Sequence, residues 1–365
     1  MAYEGGWQTE AVARLGIRLP IVGAPMGGGP STPALVAAVS EAGGLGSLAG
    51  GYLAPDRLRA DIAAVRALTA QPFAVNLFAP TPVEPAGEAI EAAQRALELY
   101  RQELGLSPRP AAAAGPWAED FEAQLAVVVE ERVPVTSFTF GLLPEAAVAA
   151  LHDAGSLLVG TATTVDEARA AVASGADLVC AQGSEAGAHR GTFLGPAEQA
   201  LVGTLALVPQ VCDAVDVPVL AAGGIMDGRG VAAALGLGAG AAVLGTAFLR
   251  CPESGTSAPY RRALAAAIET STAVTTAITG RMARGIENRL MRDLRHLDVP
   301  PYPVMNTLTS ELRRRAAERD EPDLMSLWCG QGIRLATELP AGELVRRLAD
   351  DAAATIARLA KVAGR

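Results

Sequence analysis

Residues 175–191 read GADLVCAQGSEAGAHRG, and this stretch joins a strand pattern to an unusual loop. A mainly apolar run at 177–181 lies between glycines, which is typical of a buried strand in a parallel sheet. The loop after it carries polar side chains among small residues, namely Gln182, Glu185, His189 and Arg190. Small residues let a backbone approach a ligand closely, and polar ones supply its hydrogen bonds, so we predict a ligand-binding loop. The alternative is a glycine-rich turn with an incidental histidine.

Similar strand patterns recur along the chain and alternate with predicted helices. The predicted strands span residues 20–26, 43–49, 73–78, 134–140, 156–161, 177–181, 218–222 and 241–247. The helices between them are predicted at 32–42, 55–68, 88–104, 121–131, 144–154, 165–174, 201–215 and 227–237, with Ser31 as the N-cap of the first. Eight strands alternating with helices over about 230 residues predict an α/β fold, the (β/α)₈ TIM barrel.

A doubly wound open sheet is the alternative fold. Such a sheet normally carries a single glycine-rich fingerprint after its first strand. In this chain glycines follow the first, sixth, seventh and eighth predicted strands, and the run at 27–29 is not a GxGxxG pattern. The barrel is therefore the prediction.

The chain continues well beyond the eighth predicted strand. We expect residues 1–251 and 340–365 to form the barrel, with a closing helix at 341–363, and residues 252–339 to form a helical insertion. The arginines within 279–295 are interpreted as a solvated helix face, the usual meaning of a run of charges. Residues 88–116 are interpreted as a surface excursion of the barrel, because the alternation of strands and helices resumes directly after them.

Composition and charge limit the classes of function. The chain has 365 residues, half of them apolar, and a net charge of −9, which argues against binding to nucleic acid or to an anionic membrane surface. Four widely separated cysteines without metal-ligand spacing predict no metal site and a reducing, cytoplasmic location. No secretory leader and no apolar run of membrane-spanning length is recognised.

Two neighbouring glycine motifs predict a phosphate site. Residues 219–228 read VLAAGGIMDG, and residues 243–246 read VLGT. In (β/α)₈ barrels the loops after the last two strands commonly bind phosphate through backbone N–H groups. Gly223, Gly224 and Gly245 would supply unhindered amides, and Thr246 adds a hydroxyl. Close packing of helix on sheet is the alternative reason for these glycines.

Several motifs in one order resemble the nitronate monooxygenases, formerly called 2-nitropropane dioxygenases. They are APMGG at 24–28, NLF at 76–78, QGSEAGAHRG at 182–191, AAGGIMDGR at 221–229, VLGTAFL at 243–249, TGRMARGIENRL at 279–290 and SLWCGQG at 326–332. The resemblance covers nearly the whole chain. It implies a barrel that carries non-covalent FMN, with the FMN phosphate on the loops after the seventh and eighth strands.

The resemblance also implies roles for individual residues. Flavin contacts would come from Ala24, Pro25, Met26, Gly27, Asn76, Gln182, Gly183, Gly187, Ala222, Gly223, Gly224, Val243, Leu244, Gly245 and Thr246. The first four would lie beside the isoalloxazine ring, Asn76 and Gln182 would bond its polar edge, and Gly187 would allow close approach. Capping of strand ends is the alternative role for Asn76 and Gln182.

His189 matches the catalytic histidine of the resembled family. An imidazole with a pKa near neutrality suits removal of a proton from a nitroalkane, and it can also donate a hydrogen bond to a nitronate. In the family the segment after the barrel covers the flavin pocket as a lid, so Tyr302 and Trp328 are candidates to line the substrate site. Core packing is the alternative for both. Glu185 and Arg190 are interpreted as structural partners that fix the loop.

Three functions follow from these expectations. The first is an FMN-dependent nitronate monooxygenase that uses a nitro or nitronate substrate and O₂. The second is an FMN-dependent enoyl reductase of the same superfamily that uses NAD(P)H, and the third is a non-catalytic flavin binder. Ala188 replaces a glycine that is frequent in the family, and Val243 replaces a frequent glutamine, so the substrate is left open. A homodimer is also left open.

Overall fold

Parallel strands at the centre of the chain curl into a nearly closed barrel. The computed structural model describes residues 6–81, 87–108 and 117–364. Within these residues the strands are β1 (Ile21–Gly23), β2 (Gly46–Ala49), β3 (Phe73–Phe78), β4 (Val135–Thr139), β5 (Leu157–Ala162), β6 (Leu178–Gln182), β7 (Ala188–His189), β8 (Val219–Ala222), β9 (Ala241–Leu244), β10 (Thr272–Thr275) and β11 (Ala283–Ile286). Eight of them form one parallel sheet in the order β1-β9-β8-β6-β5-β4-β3-β2.

Helices follow most of the barrel strands and cover the outside of the sheet. They are α1 (Glu10–Leu15), α2 (Pro33–Glu41), α3 (Pro55–Leu68), α4 (Gly87–Glu103), α5 (Phe121–Glu130), α6 (Glu145–Asp153), α7 (Val165–Ala173), α8 (Thr204–Cys212), α9 (Gly228–Gly236), α10 (Ala258–Ala266), α11 (Arg289–Asp293), α12 (Val304–Glu318) and α13 (Ala341–Val362). The predicted TIM barrel is confirmed. None of these described helices has both the length and the apolar character needed to cross a membrane.

The barrel closes between its first and second strands. Leu45 donates its N–H to the carbonyl of Ile21 at 3.0 Å and accepts the N–H of Gly23 at 2.8 Å. The barrel interior is filled by small and branched side chains, including Val22, Val135 and Val243. Helix α1 packs into the same cluster at the amino-terminal end of the strands, where Thr9 donates to the carbonyl of Gly240. The opposite end, with the carboxyl ends of the strands, holds the loops.

Most predicted elements are present with shorter bounds. Strand β1 ends at Gly23 rather than residue 26, because the chain turns into a loop there. The N-cap of α2 is Thr32, which accepts the N–H of Leu35, whereas Ser31 accepts the N–H of Met26. The first expectation for this cap was therefore wrong by one residue. Residues 109–116 of the predicted excursion lie outside the described residues.

The segment after the barrel contains strands as well as helices. Strands β10 and β11 pair antiparallel, and β11 also pairs with β7 from the loop after β6. Sequence analysis missed the pairing of β11 with β7 because the two strands lie nearly a hundred residues apart, and it missed the adjacent pair β10 and β11 because it took the whole segment as helical. Arg284 lies on β11 with only 8% of its surface exposed, and it donates to the carbonyl of Ser184. The interpretation of this arginine run as a solvated helix face is wrong at β11.

Helix α4 packs against the segment that follows the barrel. Leu97 of α4 belongs to a buried cluster with Leu308 and Leu312 of α12. At the edge of this contact Arg101 forms an ion pair with Glu311 at 2.9 Å. The predicted surface excursion is therefore one wall of a second core, and this core supports the elements above the barrel.

Substitutions on α4 test this second core. Leu97 is 2% exposed and Leu99, on the same helix, is 58% exposed. Leu97→Ala should lower the free energy of unfolding by about 2–5 kcal/mol, because it leaves a cavity, whereas Leu99→Ala should change it by less than about 1 kcal/mol. Urea denaturation measures both. Equal effects of the two substitutions would show that α4 is not part of a packed core.

Candidate active site

The carboxyl ends of the barrel strands bring the predicted cofactor residues to one end of the molecule. Strand β1 leads into Ala24–Gly27, β3 carries Asn76, and β6 ends at Gln182. Strands β8 and β9 lead into the two glycine motifs at 222–224 and 243–246. Parallel strands place all these positions on the same rim, which is where (β/α)₈ barrels build their active sites.

The loop after β6 is held by the buried side chain of Arg190 and the half-buried side chain of Glu185. Arg190 is 1% exposed and donates to the carbonyls of Gly183 at 2.6 Å, Gln182 at 2.9 Å and Ala200 at 3.0 Å. Glu185 accepts the N–H and the hydroxyl of Thr204 at the start of α8. These contacts support the interpretation of Glu185 and Arg190 as structural partners of the loop.

Gln182 connects the barrel strand to the histidine that follows it. Its Nε2 donates to the carbonyl of His189 at 3.0 Å, and its Oε1 accepts the N–H of Gly191 at 2.8 Å. Asn76 donates from Nδ2 to Ser137 Oγ at 3.0 Å. Each amide group thus bonds within the protein and retains one further N–H for a ligand.

The pairing of β7 with β11 fixes the backbone of His189. His189 lies opposite Ala283, and Ala188 lies opposite Arg284. Ala188 has a φ of +61°, in the left-handed region that glycine adopts more readily. A glycine, which is frequent at this position in the resembled family, would adopt this φ more readily than Ala188 does.

Residues 328–332 close over the loop through glycine contacts. A Cβ atom on Gly187 would lie 2.5 Å from the carbonyl carbon of Cys329, and one on Gly330 would lie 2.6 Å from the carbonyl oxygen of Glu185. Gln331 also donates its N–H to that oxygen. The close approach that was predicted at Gly187 is therefore made by protein backbone. Whether Gly187 also contacts a flavin stays a prediction.

Aromatic rings surround the imidazole of His189. The ring centroids of Phe140 and Tyr302 each lie 5.6 Å from that of His189, and the centroid of Trp328 lies 5.8 Å away. The structure thus places both predicted substrate residues beside the predicted catalytic residue. Tyr52 joins this group, because its ring packs on Phe78 and its hydroxyl is hydrogen-bonded to Tyr302.

Two arginines make the surroundings of His189 electropositive. Arg281 lies 4.0 Å from the ring centroid of Phe140 and donates to the carbonyls of Arg190 and Thr192. Arg313 of α12 donates to Asn306, Thr309 and Ser326. Neither arginine forms a salt bridge with a carboxylate in the described part of the chain.

Burial and these cations together change the protonation of His189. They lower its pKa to about 3 from an ordinary value of 6.5, burial being the larger cause. The imidazole is therefore neutral at physiological pH, in contrast to the near-neutral pKa expected from the sequence. Its Nε2 lies 2.8 Å from the hydroxyl of Thr279.

Sequence analysis missed Tyr52, Phe140, Thr279, Arg281 and Arg313 as site residues. Their positions along the chain carry no common motif, because they come from four different segments. The one available signal was the TGRMARG run, which is part of the motif at 279–290 that carries the family resemblance but whose arginines were interpreted only as a solvated helix face.

The glycine motifs after β8 and β9 form a cradle with free donors. Gly223 and Gly224 have φ values of +116° and +71°. Within the described residues, the N–H groups of these glycines and of Gly245 and Thr246 donate to no protein acceptor. Thr246 Oγ1 accepts the N–H of Gly330 and keeps its own proton for a ligand. Unpartnered amides in glycine-rich turns fit an anionic group such as a phosphate.

The rim beside β1 is closely packed around its glycines. Gly27 faces the ring of Tyr52, where a Cβ atom would lie 2.8 Å from the ring carbon Cδ2. A Cβ atom on Gly245 would lie 3.5 Å from that of Ala24 and 3.8 Å from the sulfur of Met26.

The described residues contain no group of three or more His, Cys, Asp or Glu side chains that could hold a metal ion.

Comparisons with known proteins agree over nearly the full length. A sequence model described as nitronate monooxygenase matches residues 10–351. The chain is 43% identical over 346 residues to a probable nitronate monooxygenase from Staphylococcus aureus, covering 94% of this chain and 97% of that protein. It is also similar to the crystal structure of nitroalkane oxidase from Streptomyces ansochromogenes, with 44% identity, a TM-score of 0.88 and coverage of 96% and 100%. The structure of FabK from Thermotoga maritima is 30% identical, with a TM-score of 0.77 and coverage of 97% and 99%.

The contact of Gly187 with residues 329–330 predicts a specific sensitivity to added volume. Gly187→Ala should lower the free energy of unfolding by about 1–3 kcal/mol, since the new methyl group overlaps the backbone of Cys329. Gly236→Ala is the control, because that glycine is exposed on α9 with open space around it, and it should leave stability unchanged or slightly higher. Thermal unfolding compares the two. Similar effects of both substitutions would refute the close contact.

The depressed pKa of His189 predicts a pH dependence of stability. Below pH 6.5 the unfolded chain binds a proton that the folded chain does not, until the pH reaches about 3. The free energy of unfolding should therefore fall with falling pH in this window, with a contribution from His189 of about 1.4 kcal/mol per pH unit. His189→Gln should have a shallower slope than the wild type, whereas His296→Gln, which alters an exposed side chain, should not. Denaturant titrations at several pH values measure the slopes, and parallel wild-type and His189→Gln slopes would contradict the assignment.

Proposed function

The chain belongs to the nitronate monooxygenase family, and from this membership we propose that it oxidises alkyl nitronates with O₂, through FMN, to carbonyl compounds and nitrite. The observation that carries the proposal is the neutral imidazole of His189 among aromatic rings and two arginines that lack carboxylate partners in the described residues. Such a pocket attracts an anion and shields it from water.

The charge of the pocket favours nitronates over neutral nitroalkanes. Arg281 and Arg313 supply positive charge near His189. Because the site is enclosed, solvent screens this positive charge less than it would at the surface. An imidazole with a pKa of about 3 is a weak base, so it removes a proton from a neutral nitroalkane slowly. A nitronate arrives already deprotonated. Its negative charge also raises the affinity of His189 for a proton, and the protonated ring donates a hydrogen bond to a nitro oxygen.

The two glycine motifs fit the phosphate of FMN. Four N–H groups there, from Gly223, Gly224, Gly245 and Thr246, have no acceptor in the described residues and would bond phosphate oxygens. The loop at 24–27 and the amides of Asn76 and Gln182 would hold the ring. A bound flavin supplies the electron-transfer chemistry that the side chains of this site lack.

The remaining residues act on the substrate. Tyr302 and Trp328 form a wall beside the imidazole that excludes water from the reacting carbon. His189 orients the nitro group. All four cysteines are free, which is typical of a reducing compartment, and we place the activity in the cytoplasm.

Replacement of His189 tests this function. His189→Asn should retain FMN through gel filtration, because the cradle after β8 and β9 is untouched, but should lose turnover of the nitronate of nitroethane by about 10²-fold or more. Oxygen consumption and nitrite formation measure turnover, and visible absorbance measures FMN. The control is His152→Asn, which alters a histidine on α6 that contacts Asp177.

Three results would contradict the proposal. They are a wild-type protein that takes up no FMN, one that holds FMN but oxidises only NADH or NADPH, and a His189→Asn variant with unchanged nitronate turnover. The second result would favour the reductase alternative.

A further inference from the structure

We propose that Thr279 is a positioning residue that sets the tautomer of His189, with the proton on Nε2 and the lone pair of Nδ1 facing the substrate. Thr279 touches neither substrate nor cofactor in this scheme and acts through the imidazole. The choice of tautomer decides which nitrogen can exchange a proton with the substrate, since a neutral imidazole has one donor and one acceptor.

The hydrogen bonds of the Thr279 hydroxyl determine the direction of proton donation. Thr279 Oγ1 lies 2.8 Å from His189 Nε2 and 3.1 Å from the carbonyl oxygen of Arg281. A carbonyl can only accept, so the single hydroxyl proton goes to Arg281. The hydroxyl oxygen then accepts a proton from Nε2, and both contacts are satisfied. The opposite assignment would leave two oxygen lone pairs facing each other at the Arg281 carbonyl.

The other nitrogen of the ring is open. Within the described residues His189 Nδ1 has no hydrogen-bond partner, and it is also not among the buried polar side-chain atoms that lack one. Those atoms are Arg101 Nη1 and Arg190 Nε. Nδ1 therefore reaches open space, on the ring that Tyr302 and Trp328 flank.

Thr279 is held rigidly enough to impose this choice. It is 1% exposed and lies between β10 and β11, directly before Gly280, whose φ is +77°. A Cβ atom on Gly280 would lie 2.2 Å from the carbonyl oxygen of Pro300, so the turn is closely packed. The backbone of Arg281 is fixed as well, because its guanidinium bonds the carbonyls of Arg190 and Thr192.

The consequence for catalysis rests on the proposed function. When a nitronate binds, Nδ1 takes up a proton from bulk water and donates it in a hydrogen bond to the nitro group. Nε2 keeps its own proton throughout and donates it in a hydrogen bond to Thr279 Oγ1. The same acceptor therefore serves the neutral and the protonated imidazole, and the ring need not rotate between them.

Isotope-edited NMR of the holoenzyme with nitrogen-labelled histidine tests the tautomer without any turnover. The chain has three histidines, so the His189 signals are assigned by their loss in His189→Asn. We expect the proton on Nε2 in the wild type and in Thr279→Ser, which keeps the hydroxyl. In Thr279→Val the Nε2 proton would face a methyl group, and we expect it to move to Nδ1. Thr276→Val, which removes an exposed hydroxyl three residues earlier, should leave the spectrum unchanged.

Kinetics with the nitronate of nitroethane provide the second readout. Thr279→Val should lower kcat by about 10- to 100-fold with a smaller change in KM, and Thr279→Ser should restore most of it. A wild-type spectrum with the proton on Nδ1 overturns the inference, and so does a Thr279→Val spectrum that keeps it on Nε2. Because the spectrum is independent of nitronate turnover, loss of the proposed function would appear only in the kinetics.

Discussion

The antiparallel pairing of β7 with β11 is the contact on which the site depends. Strand β7 contains only Ala188 and His189, and it belongs to a loop that the barrel alone would leave exposed. Strand β11 belongs to the segment after the barrel, and Ala283 of that strand lies opposite His189. This pairing brings Thr279 to the imidazole and Arg281 to the neighbouring rings. The segment after the barrel is thus a structural part of the site.

Buried and half-buried arginines without carboxylate partners give the site its charge. Arg190, Arg281 and Arg313 donate mainly to backbone carbonyls and uncharged side chains. A carboxylate partner would neutralise each cation, whereas carbonyl partners satisfy its N–H groups and leave its charge. Burial is the main influence on the Arg281 guanidinium and lowers its pKa only to about 10, so it remains charged at neutral pH. The histidine stays neutral mainly because it is buried, and the two cations that lower its pKa further also attract an anion.

The sequence predicted the barrel well because its signals are local. Most strands are largely apolar runs, and each glycine motif lies within a few residues of a strand end. The same locality placed His189 and the motifs at 222–224 and 243–246 on one rim. The pairing of β11 with β7 has no such signal, since it joins residues that are distant in the chain. The burial of Arg284 follows from that pairing, whereas its charge alone predicted a solvent-exposed side chain.

Under the proposed function this site reacts with an anionic nitronate rather than with a nicotinamide. The decisive experiment records the visible absorbance of the purified FMN-loaded protein, mixed without oxygen with the nitronate of nitroethane or with NADH or NADPH. We expect the nitronate alone to change the flavin spectrum and the change to be lost in His189→Asn. A spectrum changed by the nicotinamide and unaffected by the nitronate would contradict this function.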